Sequence, residues 1–340
     1  MLSLPIEYRQ MKLIVELSGE HPEIPFAELE ILGPVLERRR QVAVVDAHDA
    51  AGARRLAMAH CALEHLGECE AHGENLFSLL GNLDITSDEP FAARVKKIPG
   101  NTMDLSGGDI EKMMGALISG TVSLKNPSTV FRAVISEDRC YLGRVIMIQD
   151  RASFHHRRPG NRPFFHPGVM MPRVARALVN MSLVREGQTM LDPFCGTGGI
   201  VLEATLMGIP AIGSDIDPEM VTGSRVNIPR GDCVVADSTD LPFRTGSMDA
   251  VVTDLPYGQS SAIRARDLDS LYSGTIGEIR RVLAPGKRAV LVTHRDISEL
   301  AGEYMQVAAM YRQRVHKSLT RWILVLEKRP GNSPDLQKRI

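Results

Sequence analysis

The pattern of hydrophobic and polar residues divides the chain into two regions with different element orders. In the first region, alternating residues predict strands at 11–17 and 91–98, and an Ala- and Leu-rich segment predicts a helix at 50–65. Two further runs, 130–135 and 141–148, predict strands that pair through a short turn. This mixture of strands and helices indicates an α+β region.

Beyond residue 172 the pattern becomes a regular alternation of helices and strands. Such alternation predicts an α/β fold with a doubly wound, mostly parallel sheet, whose ligands bind at the carboxyl ends of the strands. The expected helices are 172–183, 199–207, 218–227 and 268–283. The expected strands are 189–191, 211–214, 233–236, 249–253 and 288–293, followed by an antiparallel edge near 305–316 and 322–326.

Residues 151–168 separate these two regions. The segment reads RASFHHRRPGNRPFFHPG, which is rich in Pro, Gly, Arg and His and lacks hydrophobic periodicity. Such a composition is typical of a connection between domains. We therefore expect an N-terminal domain over 1–150, a basic linker over 151–168, an α/β domain over 169–330 and a disordered tail over 331–340.

The composition is that of an ordinary globular protein. The 340 residues include 44% hydrophobic and 24% charged residues, with a formal net charge of −1. No apolar run approaches the roughly 18 residues that a membrane span needs, and the N-terminus is too polar for a secretory signal. The five cysteines never form a Cys-x-x-Cys pair. We therefore expect a cytoplasmic protein with reduced thiols and no bound metal.

The segment LDPFCGTGG, residues 191–199, follows a predicted strand and begins a predicted helix. Its glycines, Gly196 and Gly198, allow a tight turn and a close approach of the backbone to a ligand. A dinucleotide fingerprint would need a third glycine where this chain has Val201. The strand ends instead in Asp192, and an acid there suits a ligand with a cationic amino-acid end better than a phosphate.

Acidic residues also follow the next two predicted strands. Asp215 ends the second strand, where a carboxylate can accept hydrogen bonds from a pair of ribose hydroxyls. Asp237 follows the third strand and can accept a hydrogen bond from an adenine amino group. Each acid alone could simply cap a turn or a helix. An acid after each of three successive strands predicts a site for an adenosine with a positively charged tail, which is S-adenosylmethionine.

The fourth strand ends in Asp254-Leu255-Pro256-Tyr257-Gly258, which resembles the Asp/Asn-Pro-Pro-Tyr motif of methyltransferases that act on exocyclic amino groups. The lone pair of such a nitrogen is delocalised into the base, so the nitrogen is a weak nucleophile. Two acceptors that hold its N–H groups favour the positive charge that develops on it. We predict the Asp254 carboxylate and the Leu255 carbonyl as these acceptors, and the Tyr257 ring as a stacking surface for the base.

Leu255 departs from the motif, which usually has proline there. Pro256 already restricts residue 255 to an extended conformation, so we expect the carbonyl to keep its direction with a somewhat looser grip on the base. Cys195 lies in the cofactor turn and not after the fourth strand. We interpret it as a packing residue, which disfavours the cysteine-dependent methylation of a pyrimidine carbon.

Basic residues are concentrated in two places although the net charge is near zero. Residues 151–176 contain six arginines, three histidines and no acid, and a second basic group lies within 312–321. Such patches are typical of proteins that contact nucleic-acid phosphates, although many charge runs are only solvated surface. The candidate RNA contacts are Arg157, Arg158, Arg162 and Lys317, with Lys96, Lys125 and Arg132 as weaker candidates.

Several blocks of the sequence resemble one family. Residues 91–98 and 122–143 are similar to a THUMP domain, which is an RNA-binding module. Residues 162–177, 191–199 and 254–258 resemble the archaeal tRNA guanine-10 N2-methyltransferase family and its eukaryotic counterpart. The resemblance implies a class I methyltransferase with a seven-stranded sheet, preceded by a ferredoxin-like segment and the THUMP domain.

The resemblance also implies a reaction. S-adenosylmethionine would donate a methyl group directly to guanine N2 of a tRNA, without a metal or a covalent intermediate, after the base leaves the stack. Some relatives need a small activating subunit, and the resemblance leaves this partner open. The implied cofactor contacts are Phe165, His166, Asp192, Phe194, Gly196, Gly198, Asp215, Ile216, Asp237 and Ser238.

Three alternatives stay open at this point. A related THUMP enzyme methylates guanine at position 6, and its motif usually begins with Asn where this chain has Asp254. A DNA adenine N6-methyltransferase shares the motif but lacks the THUMP-like block. A catalytically silent RNA-binding or assembly factor would be expected to lose an acid, whereas Asp192, Asp215 and Asp254 are all present. The number of methyl groups transferred also stays open.

Overall fold

The protein divides into two compact units, residues 1–150 and 151–340. The computed structural model describes residues 11–258, 265–317 and 319–330, so the tail predicted over 331–340 lies outside the described residues. Each unit contains one sheet of seven described strands. Within the described ranges, no helix has both the length and the apolar character that a membrane span requires.

The first unit is an α+β fold. Its strands are β1 (Met11–Leu17), β2 (Val35–Arg39), β3 (Val42–Ala47), β4 (Ala59–Glu70), β5 (Phe91–Lys97), β6 (Thr129–Ser136) and β7 (Arg139–Ile148). Its helices are α1 (Ile24–Glu28), α2 (Gly73–Leu83) and α3 (Gly107–Leu117), with 3-10 turns at Leu29–Ile31 and Ala51–Arg55. The strand order is β2-β3-β1-β4-β7-β6-β5, in which β5 and β6 are parallel.

The helix predicted over 50–65 is wrong. Its first part forms only the 3-10 turn, and most of the remainder belongs to β4, which pairs with β1 on one side and β7 on the other. Ala62 and Leu63 are fully buried in this strand. Pairing on both sides and burial of these residues outweigh the helix propensity of alanine and leucine.

The second unit is the predicted doubly wound α/β fold. Its strands are β8 (Met190–Asp192), β9 (Ala211–Asp215), β10 (Asp232–Val235), β11 (Met248–Asp254), β12 (Leu283–Thr293), β13 (Gln306–His316) and β14 (Leu319–Glu327). Its helices are α4 (Arg151–His156), α5 (Pro172–Met181), α6 (Gly199–Thr205), α7 (Pro218–Asn227), α8 (Ala265–Val282) and α9 (Ser298–Gly302), with a 3-10 turn at Pro159–Asn161.

The strand order β10-β9-β8-β11-β12-β14-β13 places a switch point between β8 and β11. From β8 the chain proceeds outward through β9 to β10, then crosses to β11 and proceeds the other way to β12. Strands β8 to β12 are parallel, and β14 is antiparallel to both of its neighbours. In such a sheet a cleft forms at the carboxyl ends of the strands where the order reverses. The predicted cofactor turn and catalytic motif both lie there.

The segment 151–168, predicted as a linker, is part of the second unit. It contains α4 and the 3-10 turn, and its later residues pack against α7. The Phe164 N–H donates to Asn227 Oδ1 at 3.0 Å, and the Asn227 amide donates to the carbonyls of Phe164 and Thr197 at 2.8 and 2.9 Å. Asn227 thereby ties this segment to the backbone of the cofactor turn.

Candidate active site

A cavity of about 990 Å³ lies at the carboxyl ends of β8, β9 and β11. Its wall includes the turn after β8, residues after β9 and β10, and the motif after β11. All four predicted catalytic residues, 254–257, lie in this wall. Eight of the predicted cofactor residues lie there as well, namely His166, Asp192, Phe194, Gly196, Asp215, Ile216, Asp237 and Ser238.

Asp192 is a buried carboxyl group at the end of β8, with 1% of its surface exposed. Its Oδ1 accepts hydrogen bonds from the Thr253 hydroxyl at 2.7 Å and the Phe194 N–H at 3.2 Å. Its Oδ2 has no hydrogen-bond partner among the described residues. Burial raises the pKa of Asp192 to about 8, although both hydrogen bonds oppose this shift. The unpaired oxygen of Asp192 can accept a hydrogen bond from a cationic amino group. That interaction would offset the free-energy cost of burying the Asp192 carboxylate.

The cofactor turn depends on two glycines with positive φ, Gly196 at 49° and Gly198 at 78°. The Gly196 N–H donates to Asp215 Oδ2 at 3.0 Å, which joins the turn to the end of β9. A Cβ on Gly198 would overlap the Ile228 side chain. Gly198 is therefore required for packing behind the turn, and it is not among the described residues of the cavity wall.

Asp215 and Asp237 each use part of their hydrogen-bonding capacity to shape their own loops. Asp215 Oδ1 accepts from the Asp217 N–H at 3.0 Å. Asp237 Oδ1 accepts from the N–H and the hydroxyl of Thr239 at 2.8 and 2.7 Å. A carboxylate has about four acceptor sites, so both groups keep capacity for a ligand in the cavity.

Three predicted cofactor residues differ in their surroundings. Ile216 is 68% exposed at the cavity wall, where it offers an apolar surface. Ser238 is buried, and its hydroxyl is hydrogen-bonded to that of Thr275 in α8 at 2.9 Å. Phe165 is 52% exposed and is not among the described wall residues. The structure therefore does not bring Phe165 to the predicted cofactor site, whereas its neighbour His166 reaches the wall.

The motif at the end of β11 is anchored to the core through Leu255, the residue at which the family motif usually has proline. The Leu255 N–H donates to the Val292 carbonyl at 2.8 Å, and the Leu255 side chain is 1% exposed. The Tyr272 hydroxyl donates to the Pro256 carbonyl at 2.6 Å. Proline at 255 would have no N–H to donate. Leucine therefore adds a hydrogen bond and a buried side chain to the anchor of the motif. The looser grip of the Leu255 carbonyl on the base stays a prediction.

Asp254 belongs to a polar cluster with Tyr257 and Arg321. The Tyr257 hydroxyl donates to Asp254 Oδ1 at 2.7 Å, and Arg321 Nε donates to the Tyr257 oxygen at 3.2 Å. Burial raises the pKa of Asp254 to about 6, while Arg321 and the Tyr257 hydrogen bond limit the rise. The Tyr257 ring lies beside the His294 ring, with 5.3 Å between their centroids.

Sequence reasoning missed two residues of this site. Arg321 was grouped with the surface basic residues, but it is 6% exposed. Thr253 precedes the motif and supplies the hydroxyl that binds Asp192. The only local signal for Arg321 is its place directly before the apolar run WILVL, and a charge at the start of a strand does not by itself reveal a buried partner.

Arg157 is partly buried and Arg162 is buried in the second unit. Arg157 Nε lies 2.7 Å from Oε1 of Glu203, which is fully buried, and Arg176 Nη2 lies 2.8 Å from Oε2 of the same carboxylate. Arg162 is 8% exposed, and its Nε donates to the Arg157 carbonyl at 2.9 Å. A buried carboxylate requires such cations. These contacts correct the prediction that Arg157 and Arg162 bind RNA.

The other predicted RNA contacts lie in both units. Arg158 and Lys317 are exposed in the second unit, and Lys125 is exposed in the first. Arg132 Nη2 lies 2.7 Å from Oε2 of the buried Glu16, so the charge of Arg132 is neutralised within the first unit. Lys96 is half-buried on β5. The exposed residues stay predictions as RNA contacts.

Comparison with known proteins identifies the family to which this chain is similar. Residues 159–323 match the profile of the RMKL-like methyltransferase domain. The chain is 36% identical to the tRNA (guanine(10)-N2)-dimethyltransferase of Methanothermobacter thermautotrophicus, across 94% of this chain and 100% of the relative. It is 31% identical to the Pyrococcus abyssi protein of the same name, across 93% of this chain and 99% of the relative.

A solved structure is similar in fold over most of the chain at low sequence identity. The crystal structure of TrmN from Thermus thermophilus superposes with a TM-score of 0.50 and 19% identity, across 94% of this chain and 99% of that chain. This similarity supports the fold alone, whereas the two relatives are similar over nearly their full length. The chain therefore belongs to the tRNA (guanine(10)-N2)-dimethyltransferase family.

Proposed function

We propose that this protein transfers methyl groups from S-adenosylmethionine to N2 of the guanine at position 10 of tRNA. Its two relatives with near-complete coverage carry the name of this activity. The observation that carries the proposal is that the unpaired Asp192 oxygen and the Asp254 motif belong to one cavity. Asp192, which would bind the cationic cofactor, and Asp254, which would bind the amino nucleophile, therefore line the same cavity.

The cavity residues fit the parts of S-adenosylmethionine. Asp192 Oδ2 would accept from the amino group at the methionine end, and Asp215 would accept from the ribose hydroxyls. Asp237 would accept from the adenine amino group, and Ile216 would pack against the adenine ring. When bound, S-adenosylmethionine supplies a methyl group on a positively charged sulfur, which is an electrophile for direct transfer.

The motif residues act on the nucleophile. The Asp254 carboxylate and the Leu255 carbonyl accept hydrogen bonds from the two N–H groups of N2, which favours the positive charge that develops on the nitrogen. The Tyr257 ring provides a stacking surface for the extruded base. Because the pKa of Asp254 is about 6, this carboxyl group is mostly ionised at neutral pH, and it can accept the proton that N2 loses.

The β13–β14 hairpin and the first unit are the proposed RNA-binding parts. The last β12–β14 pair is Thr293 with Trp322, whereas β13 and β14 stay paired as far as His316 and Leu319. The hairpin therefore extends past the carboxyl end of β12, beside the catalytic motif. Lys317 is exposed near the tip of this hairpin, and we propose that it contacts phosphates near the target base. We propose that the first unit contains a THUMP domain and binds tRNA.

The proposal is tested by methyl transfer from labelled S-adenosylmethionine to an unmodified tRNA transcript. Mass spectrometry of the nucleosides and of mapped fragments identifies the atom, the position and the number of methyl groups. N2-methylguanosine or N2,N2-dimethylguanosine at position 10 is the expected product. Product at position 6 would replace the proposed position. No product, either alone or with a small activating subunit of the kind that some relatives need, would contradict the proposed function.

A variant pair separates chemistry from binding. Asp254→Ala is expected to lower the rate of methyl transfer by about 100-fold or more, because one of the two acceptors is lost, while cofactor and tRNA binding stay near the wild-type values. Asp232→Ala is the matched control, since Asp232 is exposed at the first position of β10 and is not part of the described cavity wall. Equal activity of the two variants would remove Asp254 from the reaction.

A further inference from the structure

Arg321 is a buried cation within the catalytic motif cluster. It is 6% exposed, its Nε donates to the Tyr257 hydroxyl oxygen at 3.2 Å, and its Nη2 lies 3.6 Å from Asp254 Oδ2. The Tyr257 hydroxyl in turn donates to Asp254 Oδ1 at 2.7 Å. We propose that Arg321 is a positioning residue for methyl transfer, which keeps the Asp254 carboxylate ionised and holds the Tyr257 ring in place. This inference rests on the proposed function.

The sheet topology brings Arg321 to the motif. Strand β14 is antiparallel to β12, so its beginning lies at the carboxyl end of the parallel strands. Trp322 pairs with Thr293 at the end of β12, and Asp254 at the end of β11 pairs with Val292. Arg321 precedes the first of these pairs by one residue. Its side chain therefore reaches the motif from a strand that contributes no residue to the described cavity wall.

The charge balance around Asp254 depends on this arginine. Burial disfavours the ionised carboxyl group, and Asp192 is a second acid whose pKa is raised in part by Asp254. Arg321 is the cation that lowers the pKa of Asp254, with a further contribution from the Tyr257 hydrogen bond. Among the described residues, the ionisable groups near this cluster include Asp192 at the end of β8, Tyr257 in the motif, Tyr272 of α8, His294 and Arg295 after β12, and Arg321 of β14.

Ionised Asp254 is required for the proposed chemistry. A protonated carboxyl group would have one oxygen occupied by a proton, and it could neither hold an N–H of N2 as strongly nor accept a proton from it. Removal of Arg321 should therefore shift the acidic limb of the rate profile to higher pH. It should also release the Tyr257 hydroxyl from one of its two partners, so the stacking ring would lose part of its support.

The test compares Arg321→Gln, Arg321→Lys and Arg185→Gln in the full chain, with kcat and KM for tRNA measured from pH 5.5 to 9. In the Gln variant the midpoint of the acidic limb should rise by about one pH unit or more, since an opposite charge at this distance typically has that effect. A rise of one pH unit should lower the rate at pH 6.5 about threefold, and a larger rise should lower it further. The rate should recover partly at pH 9. KM for tRNA and cofactor affinity should change less than about twofold.

The Lys variant distinguishes charge from hydrogen bonding. Lysine keeps a cation near Asp254 but lacks the second fixed donor to Tyr257, so the acidic limb should return toward the wild-type position while kcat stays reduced. Arg185→Gln removes an exposed arginine before β8 and should leave the profile unchanged. A Gln variant with the wild-type acidic limb, or one in which only KM rises, would overturn the inference.

A second readout does not need the tRNA reaction. Carbon-13 labelling of aspartate and titration of the carboxyl carbon by NMR, assigned through Asp254→Asn, reports the ionisation of Asp254 directly. Arg321→Gln should raise its midpoint, and an unchanged midpoint would refute the role of Arg321 even if the variant were inactive. If the wild-type protein methylates no guanine in tRNA but the midpoint shifts, then the proposed function fails and the electrostatic role of Arg321 stands.

Discussion

The buried carboxyl group of Asp192 makes cofactor binding dependent on pH. Because the pKa of Asp192 is about 8 without a ligand, this group is mostly protonated at pH 7. A cationic amino group next to Oδ2 favours the ionised form, so cofactor binding should release the proton. Asp192→Asn keeps the shape of the side chain and removes both the charge and its pH dependence.

The size of the effect follows from this pKa. At pH 7 about one molecule in ten has an ionised Asp192, so binding first costs about 1.4 kcal/mol to remove the proton. The affinity for S-adenosylmethionine should therefore rise about tenfold from pH 6 to pH 7, and the rise should level off near pH 8. At pH 7 about 0.9 proton should be released for each cofactor bound.

Isothermal titration calorimetry gives both quantities. Titrations at pH 6, 7 and 8 give the affinity, and titrations at pH 7 in buffers with different ionisation enthalpies give the number of protons released. The Asp192→Asn variant should bind more weakly, with affinity that hardly changes over this range and little proton release. An unchanged affinity from pH 6 to pH 8 in the wild-type protein, or equal proton release by both proteins, would refute the assignment of Asp192 to the cationic end of the cofactor.

The stability of the ligand-free protein provides an independent check. The folded-state pKa of Asp192, about 8, is above the unfolded value of about 3.9, so the folded protein favours the protonated group. This contribution is lost progressively as the pH rises from about 4 to about 8, by roughly 1.4 kcal/mol per pH unit. Asp192→Asn should therefore become more stable than wild type as the pH rises, as measured by chemical denaturation at several pH values.

Three further substitutions test the packing that supports the site. Gly198→Ala should destabilise the second unit by about 2 kcal/mol in denaturation and weaken cofactor binding, because alanine would be strained at positive φ and would overlap Ile228. Leu255→Pro should cost about 1–3 kcal/mol and lower the melting temperature, because the Val292 carbonyl loses its donor; an unchanged melting temperature would show that this anchor is unimportant. Glu203→Gln should cost about 3–5 kcal/mol, because the partly buried Arg157 and Arg176 lose their buried counter-charge, and a variant as stable as wild type would contradict that role.

The local pattern of hydrophobic and polar residues was sufficient to predict most helices and strands of the second unit. The helix predicted over 218–227 is α7, and the Asp217 side chain caps it by accepting a hydrogen bond from the Glu219 N–H at 2.8 Å. Buried parallel strands and amphipathic helices alternate in this unit. Their buried residues recur at regular spacings along the chain, which makes these elements recognisable in the sequence. In the first unit, β4 was predicted as a helix because its burial depends on β1 and β7, which lie far from it along the chain.

The sequence by itself determined the chemistry that is available at the ends of the strands. Asp192, Asp215 and Asp254 each end a strand, and the carboxyl ends of parallel strands necessarily meet at one edge of the sheet. The predicted cofactor turn and catalytic motif were therefore recognisable without coordinates. The family resemblance then added the substrate class.

The tertiary structure decided which charged groups take part in that chemistry. Arg157 and Arg321 both look like surface cations in the sequence, yet Arg157 neutralises the buried Glu203 and Arg321 joins Tyr257, 64 positions away along the chain. Only the fold reveals that Asp192 has one satisfied and one unsatisfied oxygen. The physical reason is that burial and ion pairing depend on distant residues, so the same side chain can be a solvated charge or part of an active site.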